Sequence, residues 1–261
     1  MEKFFLDAAV FVFGASIGSF INVLADRLPH NETIMGRSRC DSCGKKIDWY
    51  DLIPVISYFT LDGKCRHCHK ELSFQYPLVE TLTGMVFLFI FSRPDAYVGM
   101  EFLRSLIVAG VASSLIVIFI SDLKYHLISD YMLISFFIFS LAYVLFGSPD
   151  ILNVLKEAAV SSLMVSIPIF LIYYVSRERA MGLGDVYLTA TIGFLLGWKA
   201  GYIALYIAFV TGAIVGVYLL LKSKKKMKSR IPFGPFLVIG TMAMSLYGQQ
   251  AIDFISKIYG L

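Results

Sequence analysis

Long apolar runs, separated by short polar breaks, fill most of this chain. A membrane crossing needs about 20 mainly apolar residues. The pattern places such spans near 4–25, 77–92, 101–121, 127–147, 153–175, 186–198, 201–221 and 231–250. That makes eight, of which the second and sixth are short. The stretch "GWKAG" (197–201) is a tight, glycine-flanked turn between the sixth and seventh. The first run follows Met1-Glu2-Lys3 and is too long for the core of a cleaved signal, so it is a retained span. One break is different in kind: about fifty residues between the first and second spans are polar and rich in Cys, Lys and Arg. The predicted fold is an all-α polytopic membrane protein of about eight transmembrane helices. It divides into a first transmembrane helix (1–25), a small domain between helices 1 and 2 (26–76) and a transmembrane bundle (77–261).

Composition agrees with this reading. Of 261 residues, 57% are hydrophobic and 16% charged, and the mean hydropathy is +0.72. Soluble domains carry about 25% charged residues. The net charge of +4 is modest, and its distribution says more. With the N-terminus outside, seventeen of the 23 Lys and Arg fall in cytoplasmic segments, as short loops require. An even number of spans returns the C-terminus to the outside. The run "KSKKKMKSR" (222–230) is then a topology signal, and the domain at 26–76 is cytoplasmic. Membrane lipids are the expected surroundings and no nucleic-acid partner is expected.

All four cysteines lie in that domain, as Cys40-Asp-Ser-Cys43 and Cys65-Arg-His-Cys68. Two CxxC pairs at this separation fit a tetrahedral four-thiolate zinc site. Disulfides are disfavoured on the reducing, cytoplasmic side. Gly44 suits the turn after the first pair, and Lys45, Lys46, Lys64 and Arg66 would offset the thiolate charge. His67 and His69 are alternative ligands, with His67 read as a bystander. So short a segment builds little core, so the metal is its main staple. A closed four-cysteine site has no open position, which makes the zinc structural.

Acidic residues in spans are costly and default to functional candidates. Asp122 closes the third span, Asp130 opens the fourth, Asp185 opens the sixth, and Glu80 lies just inside the second. Asp130 reads as a helix-start acid. Asp185 follows Gly182 and Gly184, whose bare backbone lets an extended chain approach the carboxylate. Asp122 lies at the same depth. Two facing carboxylates can perform general acid–base chemistry on water. Lys124 reads as a snorkelling span-end lysine, and Asn22 and Glu80 as helix–helix hydrogen-bonding groups.

"GLGD" (182–185) with the upstream Asp122-(x7)-Asp130 segment resembles the type IV prepilin peptidases, which are membrane aspartyl proteases. "GASIGSFINVLADRLP" (14–29) is similar to their first span and its exit. The segment 38–80 is similar to their zinc domain and second span, and "IPFGPFLVIG" (231–240) to their last span. The resemblance runs through nearly the whole chain in order. It implies a catalytic pair Asp122 and Asp185, zinc ligands Cys40, Cys43, Cys65 and Cys68, and a protease bundle over 77–261. The family has Pro before the aspartate matched by Asp130. This chain has Ser129, a departure that concerns the start of the fourth span.

The resemblance implies a prepilin peptidase of the inner membrane. It would cut the basic leader of type IV prepilins or pseudopilins after Gly on the cytoplasmic face, for pilus or type II secretion systems. It would then methylate the new N-terminus from S-adenosylmethionine, at a cofactor site the residues do not name. Of the two carboxylates, Asp185 at a helix start is expected to be the ion and Asp122 at a helix end the protonated partner. Three other readings are weighed. Presenilin-like or preflagellin-type proteases share GxGD but lack the double CxxC. A transporter would carry acids at mid-depth rather than at span ends. A non-enzymatic assembly factor would be indifferent to replacement of Asp185 by Asn.

Overall fold

Apolar side chains without interruption favour helices in lipid, because a helix satisfies its own backbone. The computed structural model describes residues 2–40, 42–92, 94–222 and 231–259, and is helical to match. Its helices are α1 (Glu2–Arg27), α2 (Ile56–Thr60), α3 (Gln75–Phe91), α4 (Gly99–Tyr125), α5 (Asp130–Leu145), α6 (Ile151–Ser176), α7 (Leu183–Lys222) and α8 (Gly234–Tyr259). Among the described residues, four helices are long and apolar enough to cross a membrane: Lys3–His30, Gly99–Tyr125, Ile151–Ser176 and Leu183–Lys222. Gln75–Phe91, Asp130–Leu145 and Gly234–Gly248 are shorter apolar helices. The protein is therefore a multi-pass membrane protein. The lysine run lies outside the described residues from position 223 onward.

The sixth and seventh expected spans form one continuous element, α7, broken at Gly197 (φ 76°, ψ 168°). That conformation is open essentially to glycine alone. A Cβ on Gly201 would stand 3.5 Å from Gly193 Cα. Eight residues of straight helix would separate them by about 12 Å. The chain therefore doubles back at Gly197, and "GWKAG" is the reversal the sequence predicts.

The chain forms two compact units, Met1–Val117 and Ile118–Leu261. In the first, α1 packs on α3 through glycines. A Cβ on Gly18 would lie 2.8 Å from Glu80 Cα, and one on Gly14 would lie 2.7 Å from the Phe87 side chain. Phe87, Phe91, Ala96 and Ala109 form a buried cluster beside them. In the second, α6 and α8 both pack on α7. A Cβ on Gly193 would meet the Ser161 carbonyl at 2.7 Å, and one on Gly240 would run into the Ala204 carbonyl. Small residues at crossings are how apolar helices associate without a hydrophobic drive. This packing positions α7 and α8, whose first turns carry part of the candidate site.

Candidate active site and metal centre

Asp122 lies in the last turn of α4 and Asp185 in the first turn of α7, both in the second unit. Both are buried, at 5% and 8% exposure. Asp185 is the third residue of its helix. Its Oδ2 accepts the Gly182 N–H at 3.1 Å, while its own N–H donates to the Gly182 carbonyl at 3.2 Å. This is the reach-back half of a capping box. Thr189 Oγ1 donates to the Asp185 carbonyl at 2.9 Å and pins the turn above it. Ile128, on the connection that follows Asp122, packs against Gly184 beside Asp185, so the two helix ends adjoin.

Asp122 has a partner that its own helix does not provide. Its Oδ2 accepts the N–H of Gly234, the first residue of α8, at 2.8 Å. The start of a helix presents unpaired N–H groups and a positive dipole end. The contrast expected from the two carboxylates' own helices is thereby reduced. Asp122 ends α4, yet it also faces the N-terminus of α8. A Cβ at position 234 would stand 2.6 Å from Asp122 Oδ2, so a side chain there would displace the carboxylate or the helix start.

The two glycines before Asp185 differ. A Cβ on Gly184 would meet Ile128 Cβ at 3.2 Å, so its bare face serves packing against the α4–α5 connection. A Cβ on Gly182 would meet nothing nearer than Asp185 Oδ2 at 3.8 Å, so space lies open beside that carboxylate. Asp130 is the exposed first residue of α5, as expected of a helix-start acid. Ser129 before it is extended with φ −73°, inside the range proline would impose. The departure at Ser129 therefore leaves the entry to α5 unchanged. Lys124 Nζ lies over the Tyr125 ring, 5.1 Å from its centre.

In the first unit, Cys40, Cys43, Cys65 and Cys68 bring their Sγ atoms within 4.8 Å of one another, and all four are free thiols. Cys40 Sγ and Cys68 Sγ are 3.8 Å apart. That is the edge of a tetrahedron built on metal–sulfur bonds of about 2.3 Å. The two CxxC pairs form matching knuckles. Cys40 N–H donates to the Lys45 carbonyl and Gly44 N–H to the Cys40 carbonyl; Cys65 N–H donates to Lys70 and His69 N–H to Cys65. Gly44 (φ 68°) and His69 (φ 55°) take the same left-handed position after each pair. His67 and His69 stand outside the converging ligand atoms. The Cys68 and His67 amides at the Cys65 sulfur hold its thiol down to about 7. At Cys68 the Lys70 amide pulls the same way, but burial and the neighbouring sulfurs outweigh it and push the thiol up to about 11. Four thiols this close cannot all ionise without a cation among them, so the donor set suits a metal ion. Arg66 does not offset thiolate charge. Its guanidinium pairs with Asp51, at 2.6 Å from Nη2 to Oδ1, and ties the second knuckle to Trp49–Leu52.

Asn22 makes the expected helix–helix bond, Nδ2 donating to the Tyr76 carbonyl of α3 at 3.4 Å. Glu80 does more than expected. Its Oε2 accepts the Val55 N–H of the cysteine-bearing loop at 2.6 Å. Val55 is strained, with φ 64° in a tight turn closed by Ile56 N–H to the Pro54 carbonyl. The sequence signals neither Val55 nor Ile128. Gly234 is signalled only by the glycine–proline pair inside "IPFGPFLVIG".

Comparison with known proteins agrees with this geometry. Residues 12–93 match the Bacterial Peptidase A24 N-terminal domain, and residues 109–217 match the Type IV leader peptidase family. The chain is 30% identical to a prepilin leader peptidase/N-methyltransferase of Bacillus subtilis (strain 168), over 95% of this chain and 97% of that protein. A Pseudomonas putida protein of the same name is 27% identical over 96% and 93% of the two chains. A third, from Myxococcus xanthus (strain DK1622), is 34% identical over 81% of this chain, which spans 62% of that protein. No solved structure matches significantly. The double-CxxC loop and the two span-end carboxylates fall inside the two matched regions in that order, and the chain belongs to the type IV leader peptidase family.

Proposed function

We propose that this protein cleaves the basic leader of type IV prepilins or pseudopilins after Gly, at the cytoplasmic face of the inner membrane, and methylates the new N-terminus. The observation that carries the reading is the pair of buried carboxylates at adjoining helix ends, each accepting one backbone amide. Two such carboxylates share one proton. Asp185 takes a proton from water, and Asp122 donates its own to the scissile carbonyl. The water oxygen bonds to the carbonyl carbon, the C–N bond breaks, and the leaving amine takes a proton from the dyad. Gly182 leaves room for the extended substrate backbone beside Asp185, and Gly184 holds the Asp185 turn against Ile128.

Residues 26–76 form the metal-binding unit between the first two spans, and 77–261 the protease bundle. Cys40, Cys43, Cys65 and Cys68 would hold a structural zinc ion, which closes the loop rather than entering the reaction. S-adenosylmethionine would supply the methyl group to the new terminal nitrogen. The inside-positive count supports the orientation, since it puts both aspartates and the cysteines where a cationic leader meets the membrane.

The test is purified protein with a prepilin and S-adenosylmethionine labelled in its methyl group. Wild type should cleave and incorporate label. Asp122→Asn and Asp185→Asn should each lose cleavage while keeping the helical spectrum. Cleavage surviving both substitutions would overturn the dyad.

A further inference from the structure

The loop between α1 and α3 carries apolar side chains that no described residue covers. Ile56 and Phe59, three residues apart, share one face of the short helix α2, and Ile53 lies in its lead-in. They are 40%, 61% and 62% exposed. Trp49 and Phe74, on either side in sequence, are also exposed. A free solution face would not be built of Ile, Phe and Trp.

The depth of this face follows from one hydrogen bond. Glu80, whose Oε2 accepts the Val55 N–H, lies five residues into α3, about 7.5 Å along the helix axis. Its side chain leans toward the helix start. Even so, Val55 is held level with the first turns of α3, not out beyond its end. Those same turns of the apolar helix α3 leave Leu78 and Leu82 exposed. A second tie comes from Tyr58, which donates its hydroxyl to the Leu72 carbonyl at 3.4 Å and sets its ring edge against Phe74. Tyr58 turns inward to the protein, while Ile56 and Phe59 of α2 and the neighbouring Ile53 stay exposed.

The geometry points to the bilayer as what covers that face. α2 lies in the interface between headgroups and acyl chains, on the side of the membrane from which the loop emerges. Ile53, Ile56 and Phe59 dip toward the acyl chains, and Trp49 sits at headgroup level, as interfacial aromatic residues do. The apolar surface of α3 around Leu78 continues into this face, so a single lipid boundary covers both. The knuckles then stand on a platform seated in the membrane rather than on a free tether.

Depth-resolved quenching tests this on the full-length, metal-loaded protein in lipid nanodiscs. The chain has two tryptophans, so Trp198→Phe leaves Trp49 as the sole reporter. A second reporter, Phe59→Trp with both native tryptophans replaced by Phe, samples α2 itself. Phospholipids brominated near the headgroup end of the acyl chain should quench both reporters severalfold. Lipids brominated near the chain end should quench them weakly, and iodide should quench the α2 reporter little. An α2 reporter that iodide quenches freely and no brominated lipid touches would overturn the inference. So would shielding that appears only when a prepilin is added, because the face would then belong to the substrate.

Discussion

The carboxylate of Asp122 fills the place where a side chain on Gly234 would be. Replacing Gly234 with Ala puts a methyl group 2.6 Å from Asp122 Oδ2, so the carboxylate or the start of α8 must move. Misplacing a reacting group by about 1 Å costs on the order of a hundredfold in rate. Gly234→Ala is therefore expected to lower kcat for prepilin cleavage by about that factor with little change in KM. A rise in KM at constant kcat would show that Gly234 serves binding instead. Gly182→Ala separates the two glycines of the motif. Its Cβ would have space, so the fold should tolerate it, and a rise in KM would mark the path of the substrate backbone. Both carboxylates were legible in the sequence, because an acid at a span end beside glycines is chemically conspicuous. The Gly234 amide was not, since it reaches Asp122 across 112 positions that no local pattern connects.

At the scale of elements, the loop between α1 and α3 converges on its four sulfurs and is tied to α3 through Glu80. The spacing of Cys40, Cys43, Cys65 and Cys68 revealed the first tie. The second depends on Val55, whose positive φ is a tertiary outcome that a β-branched residue's own preferences argue against. Removing the metal with a chelator should loosen residues 31–74 while the helical signal of the spans persists, because span hydrogen bonds are internal. Limited proteolysis alongside far-ultraviolet circular dichroism would check this. Metal affinity should also depend on pH. Thiols bind metal only as thiolates, and the Cys68 thiol, pushed up to about 11, still holds its proton at neutral pH. Below the value of about 7 for Cys65, that proton must be displaced as well. Affinity should thus fall with acidification, by at least about tenfold per pH unit below 7, in competition with a chromophoric chelator. A flat profile from pH 6 to 8 would contradict four-thiolate binding. Glu80→Ala leaves the Val55 N–H without its acceptor, at a cost of about 1–3 kcal/mol. Nicking near residues 49–60 should rise by roughly tenfold, while Glu80→Gln, which keeps an acceptor, should change little.

For the whole molecule, the number of crossings decides which side every loop faces, and that number turns on one glycine. Hydropathy resolved α1, α4 and α6 cleanly, because each is a single long apolar run. It could not by itself divide the 40 residues of α7, which hold a single charge, Lys199, between Asp185 and Lys222. Gly197 divides them. Its φ of 76° reverses the chain and brings Gly201 back against Gly193. Two crossings there put the lysine-rich segment after Lys222 on the same side as Asp185, in agreement with the inside-positive count. One long crossing would put it on the opposite side and would leave its lysines against the rule. Reporter insertions distinguish these outcomes. Green fluorescent protein inserted within 223–230 should fluoresce, and alkaline phosphatase there should be inactive. At Gly147-Ser148, between α5 and α6, the pattern should invert. Gly197→Val forbids the reversing conformation, and should either unfold the second unit or weaken the fluorescence of the first insertion. Bright phosphatase activity at 223–230 in the wild-type chain would mean that α7 crosses once, and the lysines, the dyad and the cysteine knuckles would no longer share a side.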